Sequence, residues 1–270
     1  MAELWGPSNR HKGEEGAKTL ADEAYLLIRE DVIRGVFAPL EKLQPDALRK
    51  RYDIGLSPVR EALSRLALEG LAKAEGQRGF FVSPVSKGEL LDIADLRIQF
   101  SVMAVQRAMQ LGDDQWENGI VTSYYQLNKM EKLVESEPEK YKEEWERRNR
   151  QFHASLEIGC GSPWLLHFCD MLYDLIERYR RLFVSYSRIE RDSFSEHQEI
   201  MELVLARDPR ACEVLAEHFR HASKVIATQM DKLAITSVSG KKPAKLKLPA
   251  ASVTDLRKTV RRKPARGRAA

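Results

Sequence analysis

Six histidines occur in the chain, and a neutral imidazole is the commonest protein ligand for first-row metal ions such as zinc or nickel. His153 follows Asn149 by four residues, so on a helix an amide oxygen and an imidazole would share one face. His197, in SEHQEIM, and His218, in AEHFRH, lie on later amphipathic stretches. A lone helical histidine is more often a packed or surface residue than a ligand, so spacing alone makes these candidates only. His167 among WLLHF reads as packed, His221 as facing solvent or an interface, and His11 falls in the leader. A second chemistry belongs to Arg60 in SPVREALSR. An arginine in the first turn of an exposed helix can donate two parallel hydrogen bonds to guanine O6 and N7, while the helix start favours phosphate.

These groups need elements to hold them. Residues 17–35 place Leu20, Ala24, Leu27, Ile28 and Val32 on one helical face that ends at Gly35. Pro39 breaks the next segment, and DALRKRYD then predicts a short second helix with Leu48 inward and Arg49, Lys50 and Arg51 largely outward. Ser57 followed by Pro58 predicts a third helix capped by the Ser57 hydroxyl, burying Val59, Leu63 and Leu66 and stopping at Gly70. LAKAEGQRGFFVSP has two short apolar runs around GQRG, the pattern of a β-hairpin with a glycine-bearing tip. Three short helices and a basic-tipped hairpin make a winged helix-turn-helix.

From about residue 87 onward, roughly six amphipathic helices follow, with breaks at Gly112, Pro138, Gly159–Pro163, Arg188–Asp192 and Asp208–Pro209. They predict an antiparallel bundle. The fold class is therefore mostly α: an N-terminal winged helix-turn-helix and a C-terminal all-helical bundle. The expected boundaries are a disordered leader at 1–16, a DNA-binding domain at 17–85, a helical domain at 86–235 and a basic disordered tail at 236–270.

Composition narrows the classes of function. The 270 residues are 43% hydrophobic and 31% charged, with a formal net charge of +4. The longest stretch free of Asp, Glu, Lys and Arg runs from Ile158 to Cys169, short of the roughly 18 apolar residues of a membrane span. No apolar secretory core opens the chain, and Cys160, Cys169 and Cys212 lack motif spacing, so a cytoplasmic protein with reduced thiols is expected. From Gly240 onward eleven Lys and Arg face one acid, which suits either attraction to polyanions or simple solvation. No GxGxxG, GxxxxGK[ST], HExxH or nucleophile elbow is present.

SPVREALSRLALEGL followed by GQRGFFV resembles the GntR family of bacterial transcription regulators over residues 17–85. The resemblance implies DNA contacts from Ser57 and Arg60 and minor-groove contacts from Gln77, Arg78 and Gly79. Arg65 is a further candidate, and Arg49 and Lys50 could reach phosphate. Leu56 stands where many relatives have arginine, so one common contact is absent. NRQFHASL, SEHQEIMELVLARD and ACEVLAEHF resemble the FCD ligand-binding domain of the FadR subfamily over about 90–230. In many such domains the residues matching Asn149, His153, His197 and His218 converge on a divalent metal, here zinc or nickel.

The resemblance also makes Arg97 the best organic-ligand residue, with Arg180 second, and Ser101 replaces a frequent glutamate. GCGSPWLL, DLIERYR and VLARD are similar to a subgroup of carbon-starvation-induced members that regulate glutarate and 4-aminobutyrate catabolism, which implies a small carboxylic or dicarboxylic acid effector. The expected function is thus a non-enzymatic, homodimeric, effector-controlled regulator, most simply a repressor, of double-stranded operator DNA. The alternative is a metal-dependent hydrolase using the three histidines; it lacks a general base beside the ligands and leaves the winged helix unexplained. Trp116, Trp145, Trp164 and the Tyr124–Tyr125 pair are expected in the bundle core or an interface.

Overall fold

The computed structural model describes residues 19–184 and 192–238, without the side chains of 192–194 and 234–238. The expectations for the leader, for His11 and for the tail beyond residue 238 lie outside these residues. The chain divides into two compact units that part between Ser86 and Lys87.

In the first unit, α1 (Leu20–Ile33) opens with a reciprocal cap: the Asp22 amide donates to the Thr19 hydroxyl while the Asp22 carboxylate accepts from the Thr19 amide. It buries Ala24, Leu27, Ile28 and Val32, as their spacing demands, whereas Leu20 is exposed. The first residue of a helix has no preceding turn to cover it. A short strand, β1 (Lys42–Leu43), precedes α2 (Pro45–Tyr52) and was not anticipated, because two residues are too few for an alternation signal.

Helix α3 (Leu56–Leu68) starts one residue before the position expected from Ser57 and Pro58. Gly55 is the residue at the cap, and the Ser57 side chain makes no capping hydrogen bond. Pro58 is still tolerated, since amides of the first turn lack intrahelical partners. Val59, Ala62, Leu63 and Leu66 are buried against α1 and α2, each full burial stabilising by about 1.5–3 kcal/mol for the larger side chains. The hairpin forms as predicted from β2 (Ala72–Ala74) and β3 (Phe80–Val82), and β1 adds to β3 to give the antiparallel order β1-β3-β2. Its tip is a 3-10 turn at Gly76–Arg78. Gly79 there has φ 94 and ψ −149, a conformation essentially closed to residues with a Cβ.

The second unit contains α4 (Lys87–Leu111), α5 (Asp114–Ser136), α6 (Pro138–Glu157), α7 (Pro163–Phe183), α8 (Asp192–Leu205) and α9 (Arg210–Val238). Caps from Asp113 and Ser162 start α5 and α7. The α4–α5 corner is close-packed: a Cβ at Gly112 would lie 2.1 Å from the Trp116 ring, and one at Gly159 would lie 3.0 Å from it. Of the aromatics expected in the core or an interface, Trp116 and Trp145 are in the core, Trp164 is about half exposed and Tyr125 is exposed. Among the described residues no helix is long and apolar enough to cross a membrane.

Candidate metal, ligand and DNA sites

Three helices of the bundle bring three imidazoles together. His153 on α6, His197 on α8 and His218 on α9 are all buried, and one ligand atom from each lies within 4.8 Å of the others. Their rings are 4.7–5.4 Å apart between centroids. A packed histidine normally satisfies both nitrogens, and His153 and His197 do not. Glu131 on α5 accepts from His197 Nδ1 at 2.7 Å, which leaves His197 Nε2 buried without a partner. Glu196 likewise accepts from His218 Nδ1 at 2.7 Å, and His153 Nδ1 is also buried and unpartnered. A carboxylate behind an imidazole fixes its tautomer and ring orientation, the arrangement usual behind metal-binding histidines.

Protonation favours the same chemistry. Burial, then the neighbouring His218 and His197, holds His153 well below the ordinary imidazole range, and burial pushes His218 down to about 4. Both are therefore neutral near pH 7, with lone pairs available. Hydrogen bonding from His218, and then from His221, keeps Glu196 below the usual carboxylate range. His221, expected to face solvent or an interface, thus reaches Glu196 at 3.4 Å. His167 lies against the Trp164 and Phe168 rings. Asn149 is one turn from His153 and buried, with its amide nitrogen donating to the Tyr173 hydroxyl at 3.0 Å.

Beside the histidines lies a buried cation. Arg97 is 5% exposed, its guanidinium 3.9 Å from the Phe219 ring centroid and 4.8 Å from that of Tyr173. Among the described residues it makes no hydrogen bond or ion pair, and burial lowers its pKa to about 10. Aromatic faces alone replace only part of the hydration of a buried guanidinium. Arg180 differs: its Nε donates to Glu146 at 2.8 Å and its terminal nitrogen donates to the second Glu146 oxygen, so its charge is already matched. Glu146 was missed from sequence, as was Glu157, whose carboxyl hydrogen-bonds Ser101 near Arg97 and is pushed up by burial. Both lie on α6 among many other acids, and nothing local separates a buried glutamate from a solvated one.

In the winged unit, Ser57, Arg60, Glu61 and Ser64 are all exposed. They follow spacings of three, one and three residues, so they form one outward stripe of α3 opposite its buried face. Arg60 has no side-chain partner among the described residues. Arg49 and Lys50 are exposed at the end of α2, and Gln77 is exposed at the wing tip. Arg78 pairs with Glu75 at 2.7 Å and lies 5.5 Å over Phe81. Lys42 on the unanticipated β1 lies over the same ring at 5.8 Å, a wing cation that sequence missed. Arg65 belongs elsewhere: it pairs with Asp22 at 2.9 Å and stacks 4.0 Å from the Tyr25 ring, binding α3 to α1. It sits near the far end of the helix, and the structure does not bring it to the outward stripe.

Residues 20–82 match the bacterial regulatory proteins of the gntR family, and residues 92–221 match the FCD domain. The chain is 38% identical over 214 residues to the HTH-type transcriptional repressor GlaR of Escherichia coli (strain K12), covering 77% of this chain and 96% of that protein. The chain belongs to the GntR family. Other GntR likenesses agree: it is 33% identical to the uncharacterized HTH-type transcriptional regulator BphR of Paraburkholderia xenovorans (strain LB400), over 77% of this chain and 86% of BphR. The solved E. coli McbR/YncC structure superposes with a TM-score of 0.66 at 20% identity, over 79% of this chain and 100% of the other, which shows a shared fold. This GntR protein is a DNA-binding transcription regulator rather than an enzyme, so the hydrolase alternative falls.

Proposed function

We propose that this regulator is a homodimeric repressor in the cytoplasm that releases operator DNA when a small carboxylate enters the bundle. The observation that carries the effector assignment is Arg97, a nearly sealed guanidinium with two aromatic faces and no carboxylate bound to it. A carboxylate oxygen pair matches a guanidinium fork in shape and charge. Tyr173 closes one side of that position, its hydroxyl held by Asn149 and Arg180.

His153, His197 and His218, with Asn149 next to them, are the residues that would hold a divalent ion, and the unpartnered His197 Nε2 supports that fit. Three neutral nitrogens suit zinc or nickel, and such an ion supplies a second positive centre for an anionic ligand. Arg97 would orient one carboxylate, while Arg180 would act through Tyr173 because Glu146 already occupies it. The repeated cationic chemistry favours a dicarboxylate such as glutarate over a neutral metabolite.

On the DNA side, Arg60 would read base edges, with Ser57, Arg49 and Lys50 on phosphate and Gln77, Arg78 and Gly79 at the minor groove. The relative GlaR is named a repressor, which supports repression here. Control requires the acid to bind better to an arrangement whose two α3 helices no longer match major grooves about 34 Å apart. Selection of bound duplexes from a random pool, followed by titration with glutarate, tests this. An enriched palindrome whose affinity falls with glutarate is expected; no enrichment over scrambled competitor would end the proposal.

A further inference from the structure

Charge is unevenly placed along the chain. From Lys241 to Arg268 eleven Lys and Arg accompany one acid, Asp255, whereas residues 1–239 hold 33 Lys and Arg against 39 acids. The tail alone turns an acidic chain into one of net charge +4. Its cations fall in two runs, KKPAKLK at 241–247 and RKTVRRKPARGR at 257–268, interrupted by Pro, Ala and Gly rather than spaced around a helical apolar stripe. No aromatic residue lies among them. The tail is also outside both family matches, the later of which ends at residue 221, so neither matched domain accounts for it.

Helix α9 sets where the tail is attached. Lys87, the first residue of α4, donates to Asp231 on α9 at 2.6 Å, about two turns before that helix ends at Val238. Ser86, bonded to Lys87, is the last residue of the winged unit. The chain therefore leaves the helical unit close to the residue by which it enters. At no more than about 3.5 Å per residue, the run at 257–268 can extend about 65–105 Å beyond Val238. That distance exceeds one turn of duplex, about 34 Å.

We infer that the tail is a second DNA-binding segment, which lays its cations along the phosphates flanking the site gripped by the winged unit, without regard to base sequence. Duplex DNA carries one negative charge per about 1.7 Å of axis, and every phosphate neutralised releases condensed counterions. The chain's own acids compete poorly: Glu139, Glu144 and Glu217 are already paired with Lys142, Arg147 and Arg220. Without aromatic side chains the tail has nothing to stack on exposed bases or to seat at a bilayer interface. Once α3 holds DNA, tethering makes the second contact intramolecular, at an effective concentration of about a millimolar. This role goes beyond operator reading by Arg60, and its test uses scrambled duplex, so the two fail separately.

Fluorescence anisotropy on a scrambled duplex, at salt from about 50 to 200 mM, compares the full chain with one ending at Gly240. Removing the tail should weaken binding at the lowest salt by at least about tenfold. With about four phosphates no longer neutralised, the slope of log affinity against log salt should fall by about 3.6 per chain. A full-length variant carrying Arg257→Gln, Lys258→Gln, Arg261→Gln, Arg262→Gln and Lys263→Gln should lose about half of that slope, which ties the effect to charge rather than to length. It also decides the matter should the shortened chain not fold. Arg60→Ala in the full chain should lose preference for operator yet keep the tail-dependent binding to scrambled duplex. Equal slopes with and without the tail would overturn the inference, as would a glutamine variant that matches wild type. So would a tail that carries the chain to phosphatidylserine vesicles while leaving its binding to duplex unchanged.

Discussion

Glu131 holds His197: its carboxylate accepts from Nδ1 at 2.7 Å, both side chains are almost fully buried, and the opposite nitrogen is left without a partner. A hydrogen bond on one side of an imidazole thus aims its lone pair at the two other histidines. Glu131→Gln keeps the shape and removes the charge. It should weaken zinc or nickel affinity by about 10- to 100-fold, in keeping with the general cost of losing such an outer partner. Competition with a chromophoric chelator measures this, and an unchanged affinity would mean that the pair only packs.

Acid should destabilise the metal-free protein through the same cluster. His218 is lowered from 6.5 to about 4 by burial. Below about pH 6.5 the unfolded chain takes up this proton, and the folded chain does so only near pH 4. Stability is therefore complete above pH 6.5 and is lost as pH falls to 4, by about 3 kcal/mol for this group. Urea unfolding in the presence of chelator from pH 7.5 to 4 checks the window; a flat profile would show that the imidazoles are solvated.

Arg60 and Arg65 lie on one helix and should behave differently. Arg60→Ala should cost about 1–3 kcal/mol of operator affinity and relax one base preference, with the melting temperature unchanged. Arg65→Ala removes the contact to Asp22 and Tyr25 and should instead lower stability by about 1 kcal/mol. Fluorescence anisotropy and thermal melts on both variants separate the roles.

Arg97→Leu should abolish the response of operator binding to glutarate without destabilising the fold. A buried guanidinium lacking an ion pair is costly in the folded state, and an apolar side chain removes that cost. Loss of the response together with an equal or higher melting temperature is expected. A retained response would move the effector away from this position.

Gly112→Ala should be felt throughout the helical unit. Its Cβ would lie 2.1 Å from Trp116 and 2.7 Å from the Ala108 carbonyl oxygen, and overpacking of this kind costs about 1–3 kcal/mol. Calorimetry should show a lower melting temperature, and one within error of wild type would mean that Trp116 can shift freely.

Periodicity determined most of the architecture in advance. The 3.6-residue spacing of Ala24, Leu27, Ile28 and Val32, and of Val59, Leu63 and Leu66, is a local property of the chain, and burial follows it directly. Glycine and proline breaks likewise marked the ends of α4, α5, α6 and α8, while the break expected at Arg188–Asp192 lies largely outside the described residues. Helix starts were less legible, because the choice between Gly55 and Ser57 depends on the turn leaving α2, where Asp53 is left-handed. The three histidines were visible as residue types in family register. Their convergence from α6, α8 and α9, and the carboxylates Glu131 and Glu196 behind them, come from helices far apart in sequence. Tertiary packing alone decided which arginine stays unmatched. Arg60, Arg65, Arg97 and Arg180 are chemically identical in the sequence, and only the neighbours brought by folding make one outward, two paired and one a buried cation with aromatic walls. Charge pairing depends on distance through space, which a linear spacing does not encode beyond one or two helical turns.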